Sequence, residues 1–156
     1  MRKYCLSLLL LLLTLVSNAV EPPKREIRGV WLTTVYGLDW PRKPATTETG
    51  RKAQQRDVCD ILDRLQDANF NTVFLQVRMR GDVIWRSAIE PASKIFSGKY
   101  GMMPGYDPLA FVVDECHKRG MECHAWFVTF PLGTDKSVIE PVSYTHLRAH
   151  ETPEHL

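Results

Sequence analysis

Four side chains that could bind a hydroxyl-rich ligand lie close together in the sequence. Gln76, Arg78 and Asp82 offer hydrogen-bond donors and acceptors, and Trp85 follows them. An indole ring presents a flat apolar face, on which the C–H groups of a sugar ring can stack. The combination predicts a sugar-binding site. Three structural alternatives stay open, namely Asp82 as a turn residue, Arg78 in an ion pair with Asp82, and Trp85 as a core residue.

Hydrolysis of a glycosidic bond normally requires two carboxylic acids, one as proton donor and the other as base or nucleophile. Outside the predicted helices the candidates are Asp39, Asp82, Glu90, Asp107 and Glu122. Asp107 is better explained as a helix cap, and the others form no convincing pair, so the catalytic residues stay unassigned. The sequence has no nucleophile elbow, phosphate-binding loop or dinucleotide fingerprint, and no cofactor is predicted.

Three cysteines, Cys59, Cys116 and Cys123, lie beyond the N-terminal segment described below. A Cys116–Cys123 disulfide would be allowed in an oxidising compartment, but the two residues are predicted on different elements. A metal site with the neighbouring His117 and His124 lacks the paired-cysteine spacing typical of such sites. We therefore predict three buried thiols that pack as small apolar residues, and no metal.

Strands and helices alternate along the chain. The predicted strands are 28–35, 72–78 and 121–128, and the predicted helices are 52–69 and 108–119. In the first helix apolar residues recur at steps of three and four. The second begins with Asp107 as a capping residue and Pro108 at the first helical position. Strands that alternate with helices indicate βαβ units and a parallel sheet.

The side chains of the predicted strands divide into two unlike sets. In the second strand Val73, Leu75 and Val77 share one face, and the opposite face carries Phe74, Gln76 and Arg78. In the third strand, Cys123, Ala125 and Phe127 oppose His124 and Trp126. A barrel whose inner face opens into a site predicts this asymmetry. The alternative is that Gln76 and Arg78 merely mark the exit of the strand into solvent.

The length does not close such a barrel. A complete eight-fold barrel typically needs about 250 residues, and residues 20–142 supply three strands and two helices. The predicted fold class is therefore α/β, as the N-terminal fragment of a (β/α)8 TIM-type barrel with about three parallel strands and two helices.

Both ends of the sequence are predicted to lie outside this domain. Residues 1–19 combine Arg2 and Lys3, a short apolar run and the small residues before Ala19, as in a secretory signal peptide. Residues 20–25 are a linker, 26–142 the partial barrel domain, and 143–156 a non-native or unstructured tail. The protein is therefore predicted to be secreted or periplasmic, without an integral membrane segment after cleavage of the signal peptide.

Charge gives no indication of a polyanionic partner. The chain has 20 Lys and Arg against 18 Asp and Glu, for a net charge of +2. Since Arg2 and Lys3 account for this surplus, no nucleic-acid partner is predicted.

Several blocks together resemble the glycosyl hydrolase-like 10 family. They are RGVWLTTVYGLDWP, NTVFLQVRMRGDVIW, IEPASKIFSGKYG and PGYDPLAFVVDECHKRGMECHAW, within 26–131. Membership would imply an exported or lipid-anchored barrel protein linked to hydrolysis of peptidoglycan glycan. It would also imply that the Gln76–Arg78 segment, Asp82 and the His124–Trp126 segment line the sugar cleft.

We therefore expect a glycoside hydrolase-like protein that acts on cell-envelope glycan, with peptidoglycan as the favoured substrate. The candidate substrate-binding residues are Gln76, Arg78, Asp82, Trp85, His124 and Trp126. The chain itself is expected to be inactive, because most of the barrel would be absent. The alternative is a non-catalytic glycan-binding module on a barrel scaffold.

Overall fold

A computed structural model describes residues 26–130. The predicted signal peptide 1–19, the linker 20–25 and the tail 143–156 lie outside the described residues, and the predicted domain 26–142 is described as far as residue 130.

The described residues build one sheet of three parallel strands in the order β1-β2-β3. The strands are β1 (Gly29–Leu32), β2 (Thr72–Arg78) and β3 (Glu122–Phe127). Val30 is paired with Val73, and Val73 with Cys123, so residues with the same orientation form rows across the sheet. The predicted α/β fold is confirmed, with parallel strands as in part of a TIM-type barrel.

Three helices accompany the sheet instead of the predicted two. They are α1 (Glu48–Asp67), α2 (Lys94–Ser97) and α3 (Pro108–Lys118), and a 3-10 turn at Val35–Gly37 follows β1. The single turn α2 lies in the long connection between β2 and α3, where no helix was predicted. The helix is too short to give a periodic pattern in the sequence. Ser93 caps its four residues, and Gly98 ends them in a left-handed conformation (φ 79°).

Helix α1 begins four residues before its predicted start. The Thr47 side chain accepts a hydrogen bond from the Gly50 backbone N–H at 3.1 Å and so caps the helix. The sequence pattern placed Gly50 in a loop because glycine is a poor helix former. The threonine cap outweighs that preference here.

Helix α3 has the predicted N-terminal cap. The Asp107 carboxylate accepts a hydrogen bond from the Ala110 backbone N–H at 3.1 Å, and Pro108 occupies the first turn. Gly120 adopts a φ of 68° just beyond the helix, a conformation that favours glycine. Both boundary predictions for this helix therefore hold to within a residue or two.

One face of the sheet packs against the helices. Val73, Leu75 and Val77 have no exposed surface. They join one core cluster with buried side chains of β1, α1 and α3, among them Leu32, Val58, Leu62, Val112 and Cys116. The opposite face carries Phe74, Gln76 and Arg78, so the predicted alternation along β2 is confirmed.

Strand β1 ends at Leu32, three residues before its predicted end. The Thr33 backbone N–H donates to Asp39 Oδ2 at 2.8 Å. The N–H groups of Thr34 and Val35 donate to Gln76 Oε1 at 3.0 and 2.9 Å. These side-chain acceptors replace the sheet bonds that β-branched residues would otherwise make, and they turn the chain out of the sheet.

The three cysteines are free thiols, as predicted. The prediction that all three are buried is wrong, because Cys116 is buried whereas Cys59 and Cys123 are half-buried. Their assignment to different elements was correct for Cys116 in α3 and Cys123 in β3, but these elements pack together.

A search of the described part of the chain found no helix with the length and apolar character needed to cross a membrane.

Removal of the α3 cap tests how this helix is stabilised. Asp107→Ala should lower the free energy of unfolding by about 1 kcal/mol, because the first turn loses its side-chain acceptor. Asp114→Ala is the matched control at an exposed position of the same helix, and it should be neutral or slightly stabilising because alanine favours helix. Urea unfolding measures both. Equal losses in the two variants would contradict a capping role.

Gln76 offers a second test, because its amide oxygen satisfies two backbone N–H groups in the core. Gln76→Ala should cost about 2 kcal/mol of unfolding free energy, since both donors would be left without an acceptor. Gln66→Ala removes an exposed glutamine of α1 and should cost under about 0.5 kcal/mol. If the two variants unfold at the same urea concentration, Gln76 does not hold the end of β1.

Candidate functional site

The candidate site lies at the carboxyl edge, the name used here for residues 33–40, 79–93 and 128–130, which follow the three parallel strands. Parallel α/β sheets bind ligands at this end of their strands, where the loops can present unlike side chains together.

Gln76 is buried and acts as an internal connector. Its amide oxygen accepts the N–H groups of Thr34 and Val35, and its backbone oxygen accepts the Thr34 hydroxyl at 2.8 Å. These bonds attach the segment after β1 to the end of β2. Gln76 therefore shapes the wall of the site, and its amide oxygen is already used by the chain.

Arg78 binds Glu90 and the end of β3. Its Nε lies 2.8 and 2.9 Å from the two Glu90 carboxylate oxygens, and its Nη2 lies 2.6 Å from Oε1. Its Nη1 donates to the backbone oxygens of Val128 and Thr129 at 2.7 and 3.0 Å. Arg78 thus forms its ion pair with Glu90. The alternative left open by the sequence, an ion pair with Asp82, is not found.

This guanidinium connects three segments of the carboxyl edge. The Arg78 and Glu90 side chains are only 14% and 18% exposed, and charge-assisted bidentate bonds in such surroundings are strong and directional. They fix the end of β2, the connection that contains Glu90 and the residues after β3 relative to one another. Sequence reasoning found Arg78 and Glu90 separately, but it had no signal that pairs residues across a loop.

Asp82 is a buried carboxyl group with an unused oxygen. Its side chain sits in a tight turn, in which Gly81 has a φ of 79° and the Met79 N–H donates to the Asp82 backbone oxygen at 3.2 Å. The residue is 8% exposed, and its Oδ1 has no hydrogen-bond partner. Asp82 is therefore a turn residue, as the structural alternative held, and it also remains a candidate functional residue.

Burial raises the pKa of Asp82 above its usual range, and the nearby Ser93 side chain and Arg80 backbone oppose this effect. The pKa of the neighbouring Tyr100 is also raised, first by burial and then by the charges of Asp82 and Glu90. The Asp82 carboxyl group is thus desolvated, whereas the Glu90 carboxylate is bound by Arg78.

The aromatic candidates occupy different levels of the sheet. Trp126 is paired with Gln76 near the carboxyl edge and contacts Trp31 edge-on at 4.9 Å between ring centroids. His124 lies one row deeper, beside Phe74 at 5.4 Å, and its Nε2 is 3.0 Å from Glu122 Oε2. Trp126 is therefore nearer to the cleft edge than His124.

Two other tryptophans contribute to packing. Trp85 is half-buried, packs against the core cluster and meets Phe127 edge-on at 5.8 Å between centroids. Trp40 is fully buried, and its Nε1 donates to the Gln54 backbone oxygen at 2.8 Å. Of the two, Trp85 keeps part of its surface available at the carboxyl edge.

Tyr36 is a surface residue of the carboxyl edge that sequence reasoning missed. It is 70% exposed and has a φ of 55°, an uncommon value for a residue with a side chain. The Arg80 guanidinium carbon lies 4.6 Å from its ring centroid, and Arg80 Nη1 donates to its hydroxyl at 2.9 Å. An exposed aromatic ring with a held cation suits a polar ligand that carries negative charge. No sequence rule predicts this conformation for tyrosine.

Between residues 26 and 130 there is no group of three or more His, Cys, Asp and Glu side chains that could hold an ion. The surface pockets on the exposed side of α1, of about 550 and 570 Å³, lie away from the carboxyl edge. The arrangement at the carboxyl edge can bind hydroxyl groups and stack on rings.

The sequence matches a family of known proteins. The glycosyl hydrolase-like 10 family model matches residues 26–149. The chain is 50% identical over 111 residues to glycosyl hydrolase DigH of Escherichia coli K12, which covers 69% of this chain and 25% of the relative, and it matches the Shigella flexneri protein equally.

A relative with lower sequence identity also bears the name glycosyl hydrolase. Glycosyl hydrolase YngK of Bacillus subtilis is 36% identical over 122 residues, which is 78% of this chain and 23% of the relative. The chain spans about a quarter of the length of these curated relatives. Because the family model matches most of the sequence and the parallel sheet is of the expected kind, the chain belongs to the glycosyl hydrolase-like 10 family.

Proposed function

We propose that the protein containing this sequence is an exported, barrel-type glycoside hydrolase that acts on cell-envelope glycan, with peptidoglycan as its substrate. The family and the names of the relatives support a glycan substrate. The apolar N-terminal segment supports export, since its charge and length are typical of a signal peptide. The activity belongs to the whole protein, because this chain spans a quarter of the relatives' length.

The observation that carries the proposal is the unused buried oxygen of Asp82 at the carboxyl edge. A desolvated carboxyl group without a partner is costly to fold, and such groups are concentrated at functional sites. A sugar hydroxyl would give Oδ1 the donor that it lacks. In this proposal, Asp82 binds and orients the sugar from the β2 side of the cleft.

The other candidates have supporting roles in the same proposal. Trp126, and the exposed part of Trp85, stack on sugar rings. Gln76 and Arg78 hold the cleft wall in place through the contacts described above, and His124 supports the wall from the deeper row. The acid and base carboxylates are contributed by later strands of the whole protein, so the isolated chain is inactive.

One observation favours the alternative of a non-catalytic glycan-binding module. The carboxylates of Asp39 and Glu90 at the carboxyl edge are engaged by Thr33 and Arg78. Both are held by contacts within the chain, so the described part of the cleft offers no pair of free carboxylates of the kind that hydrolysis requires. A cleft of this composition binds sugar whether or not catalytic groups complete it.

A turnover assay separates the two functions. The full-length protein should release new reducing ends from purified peptidoglycan, because cleavage of a glycosidic bond exposes one per event. Full-length protein with Asp82→Ala should lose most of this activity, whereas Asp60→Ala, at an exposed position on α1, should retain it. Binding to peptidoglycan without any release of reducing ends would contradict hydrolysis and favour the binding module.

The burial of Asp82 also predicts how stability depends on pH. Because burial raises the folded pKa of Asp82, ionisation costs folding free energy, and this cost appears as the pH rises through the folded pKa. Asp82→Asn removes the charge. The unfolding free energy of the variant minus that of the parent should therefore be larger at pH 7 than at pH 3.

Urea unfolding of the parent and variant at the two pH values measures this difference. Asp60→Asn, an exposed change on α1, should alter stability by under about 0.5 kcal/mol at both. If Asp82→Asn is instead destabilised more at pH 7 than at pH 3, the ionised carboxylate has good internal partners and the functional interpretation of its unused oxygen fails.

A further inference from the structure

Two cysteines meet where α3 leads into β3. Cys116 lies in the last turn of α3, and Cys123 is the second residue of β3, on the face of the sheet that packs against helices. The connection between them is short and tightly bonded, because the Cys116 backbone oxygen accepts the N–H groups of Arg119 and Met121 at 3.0 and 2.9 Å. Both side chains belong to the same region of the core.

The two thiols are neighbours at the junction of α3 and β3, in unlike surroundings. The nearby Cys116 lowers the pKa of the Cys123 thiol against the opposing effect of burial. The nearby Cys123, together with burial, raises the pKa of the Cys116 thiol. Cys123 is therefore the member of the pair that more readily becomes a thiolate, and the thiolate is the nucleophilic form of cysteine.

Cys123 is also more accessible to solvent than Cys116. Cys123 is half-buried and lines a shallow surface pocket of about 430 Å³, together with His117, Gly120, Met121 and His124. Cys116 is fully buried behind it. A reagent could thus reach Cys123 from the pocket, whereas it could reach Cys116 only through Cys123 or after opening of the core.

We propose that Cys116 and Cys123 are an oxidisable dithiol pair that closes into a disulfide across the α3–β3 junction. The oxidant is an external disulfide, either a small molecule or the active-site disulfide of an oxidoreductase. This inference is independent of the proposed hydrolase activity, because neither thiol lies at the carboxyl edge.

The exchange proceeds in two balanced steps. The Cys123 thiolate attacks one sulfur of the external disulfide, which releases one thiolate and leaves a mixed disulfide on Cys123. The Cys116 thiol then loses its proton and attacks Cys123 Sγ, which releases the second thiolate, and the two released thiolates take up the protons of Cys123 and Cys116 through solvent. Overall, two protein thiols are oxidised by two electrons, and one external disulfide is reduced to two thiols.

Cys59 provides an internal control. Its thiol is also half-buried, but its Sγ lies 3.5 Å from Glu115 Oε2, beside a carboxylate instead of a second thiol. Burial, followed by the negative charge of Glu115, raises its pKa. Cys59 should therefore react slowly with a disulfide, and any mixed disulfide that it forms should persist.

The test uses the full-length protein, folded with its thiols reduced and then exposed to oxidised glutathione. Peptide mass spectrometry without reductant should find a Cys116–Cys123 cross-link, with the loss of about 2 Da that one disulfide entails. Cys59→Ser should form the same cross-link. Cys116→Ser should instead accumulate glutathione on Cys123, because the resolving thiol is absent, and Cys123→Ser should leave Cys116 unmodified.

Several results would overturn the proposal. They are two free thiols after prolonged exposure, a stable glutathione adduct on Cys123 of the parent, or faster modification of Cys59 than of Cys123. A variant that fails to fold is recognised by its circular dichroism spectrum, and the parent and Cys59→Ser measurements then decide. In urea, Cys123 should no longer react faster than Cys59. Oxidation in urea therefore shows whether the folded structure selects the Cys116–Cys123 pair.

Discussion

The two-sided burial of β2 is the constraint on which the other features of the structure depend. Successive side chains of a strand point to opposite faces, so Val73, Leu75 and Val77 enter the helical core while Phe74, Gln76 and Arg78 face away from it. A slip of one residue would place an amide and a guanidinium among aliphatic side chains, at a cost of several kcal/mol. The register is therefore fixed, and with it the position of every polar group at the carboxyl edge.

Polar groups on this strand stabilise the edge by satisfying the backbone where the sheet ends. Gln76 accepts the N–H groups that β1 leaves unpaired, and Arg78 binds the carbonyl groups that follow β3. The loops are thus held by the central strand instead of by one another. Asp82 differs from both, because one of its oxygens is buried without a donor. A wall of satisfied groups with one unsatisfied carboxyl is the arrangement expected where a ligand completes the bonding.

The sequence predicts regular elements well and contacts between loops poorly. The limits of β2 follow from its alternation, and α3 begins and ends as its aspartate, proline and glycine predict, since these signals are local. The pattern extends β1 too far, because Thr33 and Thr34 favour strands while Asp39 and Gln76, distant in sequence, take their N–H groups. The pairing of Arg78 with Glu90, the proximity of Cys116 to Cys123 and the left-handed Tyr36 likewise depend on tertiary structure, for which a single sequence carries no signal.

A crystal structure of the full-length protein with a bound peptidoglycan fragment tests the role of the carboxyl edge directly. We expect sugar at the carboxyl edge on the Gln76 face of the sheet, with a hydroxyl group within hydrogen-bonding distance of Asp82 Oδ1 and a ring against Trp126. Sugar bound at the opposite end of the strands, or at a distance from β1 to β3 with Asp82 still unpartnered, would contradict it.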